Sequence, residues 1–115
     1  MKLEELRARG GLIDPTLVKV NVTWDKVDED GKKEPVNFDV FVRKNSFGLL
    51  DLANQEARNG KSRSATVIAN GIRLGERGEE ELSYDDAYNL EPTLSVVLFN
   101  AFMEVNKPRT EAEKN

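Results

Sequence analysis

The sequence predicts an α+β fold, in which an antiparallel β-hairpin or small sheet near the N-terminus packs against a C-terminal group of about four helices. Apolar and polar residues alternate in two runs, Val18–Trp24 and Val36–Val42, as in half-buried strands. From Asn45 onward the apolar spacing becomes that of helices. The 115 residues suffice for one domain with a modest core. We expect that domain over residues 1–106 and a disordered tail over residues 107–115.

The N-terminal elements are separated by turn signals. A short helix is predicted over Leu3–Ala8, and Gly10 with Gly11 ends it. The two alternating runs are predicted to pair as antiparallel strands. Their connection, Asp25–Pro35, is long and charged, so we expect a solvated loop with a mobile tip.

Capping and stop residues delimit the helical part. Asn45 or Ser46 can cap the first helix, and Gly60 fits its end. Ser64 can cap a second, short helix that ends at Asn70-Gly71. An Asn-Gly pair is also typical of a hairpin turn, but after a helical turn we favour a helix stop, with an extended segment from Ile72.

Two further helices follow. Ser83 and Asp86 have the spacing of a capping box and predict a brief helix that ends near Leu90. Pro92 suits the first turn of the last helix, which continues to Asn106.

The composition argues against catalysis. The chain contains neither cysteine nor histidine, so thiolate nucleophiles and imidazole acid–base groups or metal ligands are absent. The carboxylates of Asp85, Asp86 and Glu79–Glu81 are better explained by helix capping and a solvated turn. We therefore predict no enzyme activity, no metal and no cofactor. Carboxylates alone could still hold a metal ion, and an enzyme of that kind is the competing hypothesis.

Charge and hydropathy limit the partners. The formal net charge is −4, whereas a nucleic-acid binder usually has a basic face. The compact basic cluster of Arg58, Lys61 and Arg63 is typical of a solvated loop. No apolar run approaches a membrane span, and the charged start of the chain is not typical of a signal peptide. We expect a protein partner and neither nucleic acid nor membrane.

The last helix has two apolar stripes. One contains Leu94, Val97, Leu98, Ala101 and Val105, with Phe102 at its edge, and the other contains Val96, Phe99 and Met103. Either the helix is buried on both sides by its own domain, or the second stripe contacts a partner or another subunit. An exposed apolar patch is typical of such a contact, and methionine suits an adaptable surface. We take Val96, Phe99 and Met103 as candidate protein-binding residues.

Phe41 is a further candidate, because it interrupts the polar face of the second strand. It either lies under a loop or marks a contact site.

The C-terminal half resembles a known family. The extended segment Ile72–Leu74, the short helix around LSYDDAYNL (Leu82–Leu90) and the apolar helix Leu94–Asn106 are similar to those of the tail assembly chaperones of long-tailed bacteriophages. The opening, with its short charged helix and strand pair, is similar to the same group.

This resemblance implies a function. Such proteins bind the long, largely helical tape measure protein and keep it soluble until tail tube subunits polymerise around it. It implies a homo-oligomer that acts in the host cytoplasm and is absent from the mature virion. It also implies that programmed frameshifting can add a domain that recruits the tail tube protein. Glu113-Lys114-Asn115 can be encoded by a slippery A-rich run, which would place the frameshift there.

Two other non-catalytic functions remain open from the sequence. The chain could be a structural protein of the tail or connector, in which case it should be present in purified virions. It could also be a general oligomerising adaptor.

Overall fold

The structure, a computed structural model, describes residues 1–108. Within them a four-stranded antiparallel sheet is combined with five helices, so the predicted α+β class is confirmed. The predicted tail over residues 107–115 falls almost entirely on residues 109–115, which lie outside the described part. The elements in chain order are α1 (Leu3–Ala8), β1 (Val18–Val27), β2 (Lys33–Val42), α2 (Phe47–Arg58), α3 (Arg63–Gly71), β3 (Ile72–Leu74), β4 (Glu80–Glu81), α4 (Tyr84–Tyr88) and α5 (Pro92–Asn106).

The hairpin of β1 and β2 is longer than predicted. Its register runs without a break from Val18 opposite Val42 to Val27 opposite Lys33. The charged sequence of its outer part predicts a loop, but backbone hydrogen bonds pair the two strands there although their residues are exposed. At the tip, the Asp28 carboxylate accepts the backbone N–H groups of Asp30 and Lys32 at 2.9 and 2.8 Å.

Two short strands extend the sheet in the order β1-β2-β3-β4. The Asn70-Gly71 pair ends α3 as predicted, and β3 follows at once. The turn between β3 and β4 is held by Glu79, whose carboxylate accepts the backbone N–H groups of Glu76 and Arg77 at 3.1 and 2.8 Å.

Side-chain caps start the helices α2 to α5. Ser46 accepts the backbone N–H of Leu49 at 3.2 Å, which selects Ser46 over Asn45 as the cap of α2. The cap of α3 is Ser62 and not Ser64, so that helix begins one residue before Ser64. The predicted capping box of α4 is present, with Asp86 N–H to Ser83 Oγ at 3.0 Å and the reciprocal bond at 3.4 Å.

The core lies between the sheet and α5. Val40, Val42 and Ile72 are fully buried on the inner face of the sheet, and Leu98 and Phe102 of α5 are buried with them. The Phe102 ring approaches α3 so closely that a Cβ on Gly71 would lie 2.6 Å from Phe102 Cδ2.

The N-terminal end of α5 is attached to β1. Trp24 Nε1 donates hydrogen bonds to Thr93 Oγ1 at 2.9 Å and to Glu91 Oε2 at 3.2 Å. Glu91 is also the N-cap of α5, because its carboxylate accepts the Leu94 N–H at 3.1 Å. These bonds fix which side of α5 faces the sheet and which side faces outward.

Candidate protein-binding site

The two stripes of α5 differ in burial. Leu98, Ala101 and Phe102 of the first stripe are buried. In the second stripe, Val96 keeps 57% and Met103 keeps 50% of its surface exposed, and Phe99 is half-buried. The helix is therefore not buried on both sides by its own domain. One side is covered, and the other side is partly exposed.

A wide groove runs along the uncovered side of α5, between α5, α3 and α4. Its volume is about 510 Å³. Ala65 and Ile68 of α3 form its floor, and Tyr88 of α4, 64% exposed, stands on its far side. Val96 and Phe99 line it from α5. The groove is mainly apolar, with hydroxyl and amide groups at its edges.

A narrow groove of about 180 Å³ lies between α5, α3 and α2. Met103 and Phe99 line it from α5, and Leu50 lines it from α2. Arg63 supplies the charged group of this groove, and its Nε donates to Asn54 Oδ1 at 3.2 Å.

Phe99 lines both grooves, so the second stripe connects them. Together these side chains form one apolar surface that crosses α4, α5 and α2. We call it the α5 surface, and its residues are Leu50, Tyr88, Val96, Phe99 and Met103.

Leu50 and Tyr88 were not among the predicted site residues. The signal for Leu50 was present in the sequence, because Phe47 and Leu50 are spaced by three on one side of the helix, with Leu49 and Ala53 beside them. The structure buries Leu49 and Ala53 and leaves Phe47 82% and Leu50 42% exposed. Thus α2, like α5, has a second apolar side. Tyr88 gave no such signal, since a single tyrosine in a short helix is common on any surface.

Phe41 lies elsewhere. It is half-buried and paired with Lys19 and Arg73 on the face of the sheet opposite to the buried Val40 and Val42. The turn after β3 passes over it, because a Cβ on Gly78 would be 2.9 Å from Phe41 Cβ. Phe41 therefore lies under a loop, and a role in binding would involve a different surface from that of α5.

Three of the five acidic residues considered for catalysis have structural partners. Asp86 completes the cap of α4, Glu79 holds its own turn, and Glu81 forms an ion pair with Arg73 at 3.0 Å. Backbone hydrogen bonds at that turn lower the pKa of Glu79, and the Thr93 hydroxyl is the main cause that lowers the pKa of Glu91. Among residues 1–108, no group of three or more carboxylates is arranged to hold a metal ion.

The basic cluster is partly neutralised. Lys61 forms an ion pair with Glu56 at 3.1 Å and lies 5.0 Å from the centre of the Tyr84 ring. The hydrogen bond and charge of Glu56 raise the pKa of Lys61. These contacts attach the α2–α3 loop to α4 and so position the far side of the wide groove. Within the described chain, the longest apolar helix is too short to cross a membrane.

Comparison with known proteins identifies the family. A family model described as phage tail assembly chaperone matches residues 4–106, which span all nine elements apart from the first residue of α1. No curated protein and no solved structure matches the chain. The match extends over both grooves and over most of the chain. The chain therefore belongs to a family of phage tail assembly chaperones.

Proposed function

We propose that this protein binds the tape measure protein and keeps it soluble until tail tube subunits polymerise around it, without catalysing a reaction. The observation that carries the proposal is the exposure of Val96 and Met103 on a helix whose other side is the core. The family supplies the context of tail assembly.

The shape of the α5 surface suits a helical client. A tape measure segment before assembly is an amphipathic helix with an exposed apolar stripe, and such a stripe binds by lying in a groove between helices. The wide groove offers Val96, Phe99 and Tyr88 to such a stripe, and hydroxyl groups at its edges can satisfy polar side chains of the client.

Binding has to be reversible, because tube subunits must displace the chaperone. An apolar surface of few residues with a polar rim gives a modest affinity for each copy. Several copies along one long client would raise the overall affinity through avidity, without a large dry interface at any one of them.

The proposal is tested by co-expression with the neighbouring tape measure gene. The double variant Val96→Gln with Met103→Gln changes the two exposed large hydrophobic residues of α5 and leaves Phe99 in place. Its matched control is Leu12→Gln with Ile13→Gln, since those side chains are 42% and 48% exposed but lie outside both grooves and outside every strand. We expect the wild type and the control to keep the client soluble and to co-purify with it, and the α5 variant to lose both properties. If the wild type leaves the client insoluble, the proposal is wrong.

The same proposal includes the site of action. We place the protein in the host cytoplasm as a homo-oligomer and outside the mature virion. Mass spectrometry of purified virions tests the last point, and detection at a structural copy number would instead favour a tail or connector protein.

We also propose a longer form that recruits the tail tube protein. It would arise by frameshifting near Glu113-Lys114-Asn115. The gene sequence tests this directly, because codons without a slippery run would exclude a frameshift at that place.

A further inference from the structure

The strand β1 is an open edge of the sheet. The strand order places β2 on one side of it and no strand on the other among the described residues. It is ten residues long, and its unbroken register with β2 leaves no bulge in it. It also contains no proline. An edge of this length exposes a row of backbone N–H and C=O groups. Bulges, proline, short length and charged side chains are the usual protection against pairing, and of these β1 has only the charges of Lys19, Asp25 and Lys26.

The apolar face of β1 is incompletely covered. Val40 and Val42 on the neighbouring strand are fully buried. On the same face of β1, Val22 is also buried, but Val20 and Trp24 on either side of it are only half-buried. The edge strand is therefore less completely covered at these two positions. A further strand beside β1 would cover these side chains.

We propose that β1 pairs antiparallel with β1 of a second copy of this chain, about a two-fold axis at Val22. In this register, Lys19 lies opposite Asp25 of the second copy, and the two-fold axis repeats that pair on the other side. Val20 lies opposite Trp24 of the second copy, and Asn21 lies opposite Thr23. The result is a continuous eight-stranded sheet.

The residues of β1 select this register. Shifting the axis by one residue toward Asn21 would place Lys19 opposite Thr23, and shifting it toward Thr23 would place Lys19 opposite Val27. The axis at Val22 brings opposite charges together twice, and it sets a valine against a tryptophan twice. Opposite charges and aromatic–β-branched pairs are favourable cross-strand neighbours. Such self-complementarity is what a two-fold interface requires.

The existing contacts of these residues allow the pairing. Lys19 forms an exposed ion pair with Asp39 at 3.5 Å, and Asp39 accepts from Asn21 Nδ2 at 2.9 Å. Asp39 lies on β2, so these contacts are on the side of β1 that is away from the proposed interface. An exposed ammonium group can contact carboxylates on both sides, since exposed ion pairs are weak and mobile.

Cysteine crosslinking tests the register, because the chain has no cysteine of its own. Asn21→Cys and Thr23→Cys are both on the exposed face, opposite each other across the proposed interface at a Cα separation of about 4.5–5.5 Å. We expect a disulfide-linked dimer when the two variants are mixed and oxidised, and little when either is oxidised alone. Crosslinking of either variant to itself would overturn the register, and no crosslink in the mixture would overturn the pairing.

Charge exchange gives a second test that does not need oxidation. Asp25→Lys sets like charges opposite each other twice, so we expect the dimer dissociation constant measured by sedimentation to rise about tenfold. Adding Lys19→Asp should bring the dissociation constant back toward that of the wild type. The matched control is Asp51→Lys on α2, which makes the same charge change away from the sheet. Both substitutions bring the formal net charge of −4 closer to zero, which by itself favours association.

Circular dichroism melts check that each variant is folded. A wild type that stays monomeric at high concentration would overturn the proposal. So would a double variant, Asp25→Lys with Lys19→Asp, whose dimer dissociation constant is as high as that of Asp25→Lys alone. The pairing rests on the homo-oligomer proposed above and specifies its contact, but it is independent of client binding, since β1 and the α5 surface share no residue. A variant that loses the dimer but keeps the client soluble would contradict neither proposal and would show that the two are separate. A variant that keeps the dimer but loses the client would show the same.

Discussion

The side chain of Asn106, in the last turn of α5, is hydrogen-bonded to the backbone of Asn45, just before α2. Its Oδ1 accepts the backbone N–H of Asn45 at 2.7 Å, and its Nδ2 donates to the carbonyl oxygens of Arg43 and Phe102 at 3.1 and 3.0 Å. One amide side chain thus joins the end of β2, the start of α2 and the end of α5. It holds Leu50 and Met103 on opposite sides of the narrow groove.

We expect Asn106→Ala to lower the free energy of unfolding by about 0.5–1.5 kcal/mol, the usual net contribution of a hydrogen bond, because water can replace the lost partner of the exposed backbone groups of Asn45 and Arg43. Chemical denaturation measures this. Asn100→Ala is the control, since Asn100 is an exposed asparagine of the same helix with no side-chain hydrogen bond in the described residues. Equal stability of the two variants would show that the Asn106 contacts contribute nothing.

A second prediction concerns the close approach of α3 and α5. A Cβ on Gly71 would meet Phe102 Cδ2 and Cε2 at 2.6 and 2.7 Å, and those ring atoms are buried. We expect Gly71→Ala to cost about 1–3 kcal/mol through overpacking. Thermal unfolding measures it, and adding Phe102→Leu should recover part of the loss.

Gly48 provides the matched control. It is an exposed glycine within α2, and a Cβ there would have only Ser46 Oγ nearby, at 3.8 Å. We expect Gly48→Ala to stabilise the protein by about 0.5–1 kcal/mol, because alanine loses less backbone entropy in a helix. If the two alanine variants behaved alike, the contact at Gly71 would not be as tight as the structure shows.

The third prediction is a pH dependence at the start of α5. Hydrogen bonding by Thr93 lowers the pKa of the Glu91 carboxylate below its ordinary value of 4.5. A carboxylate whose pKa is lowered by folding stabilises the native state above its unfolded pKa and ceases to do so as the pH falls through its folded pKa. We expect Glu91→Gln to be less stable than the wild type above pH 4.5, with a difference that shrinks in more acidic solution.

Denaturation midpoints over a pH series measure this difference. Asp14, Asp39 and Glu79 also have lowered pKa values, but they contribute equally to both proteins. Glu104→Gln makes the same charge change near the other end of α5. A difference at Glu91 that stays constant with pH would show that its ionisation is not coupled to folding.

Much of the fold could be predicted from residue periodicity and caps. Val18–Trp24 and Val36–Val42 alternate because one face of the sheet is buried, and Ser83 with Asp86 forms the box that its spacing predicts. The outer hairpin and β4 could not be predicted in this way. Glu80 and Glu81 pair with β3 through their backbone, and side-chain patterns carry no information about such pairing when both residues are exposed.

The site was predictable only in part. The spacing of Val96, Phe99 and Met103 shows that they share a side of α5, but the sequence does not show which neighbours cover that side. Coverage depends on the tertiary placement of α2 and α4. Both helices pack on α3 and do not close over α5, so Val96 and Met103 stay exposed while Phe99 is half-buried.

The last prediction compares the two sides of α5 by stability alone. Val96→Gln and Met103→Gln replace exposed apolar side chains with a good helix former, so we expect each to change the free energy of unfolding by no more than about 0.5 kcal/mol. Leu98→Ala, on the buried side of the same helix, removes a side chain that is 2% exposed and should cost about 2–5 kcal/mol. Urea denaturation at a protein concentration where association is constant compares the three variants. If Val96→Gln or Met103→Gln cost as much as Leu98→Ala, the second stripe would be part of the core and could not be offered to a client. If both are neutral for folding and still abolish client solubility, the exposed stripe is maintained for binding and not for stability.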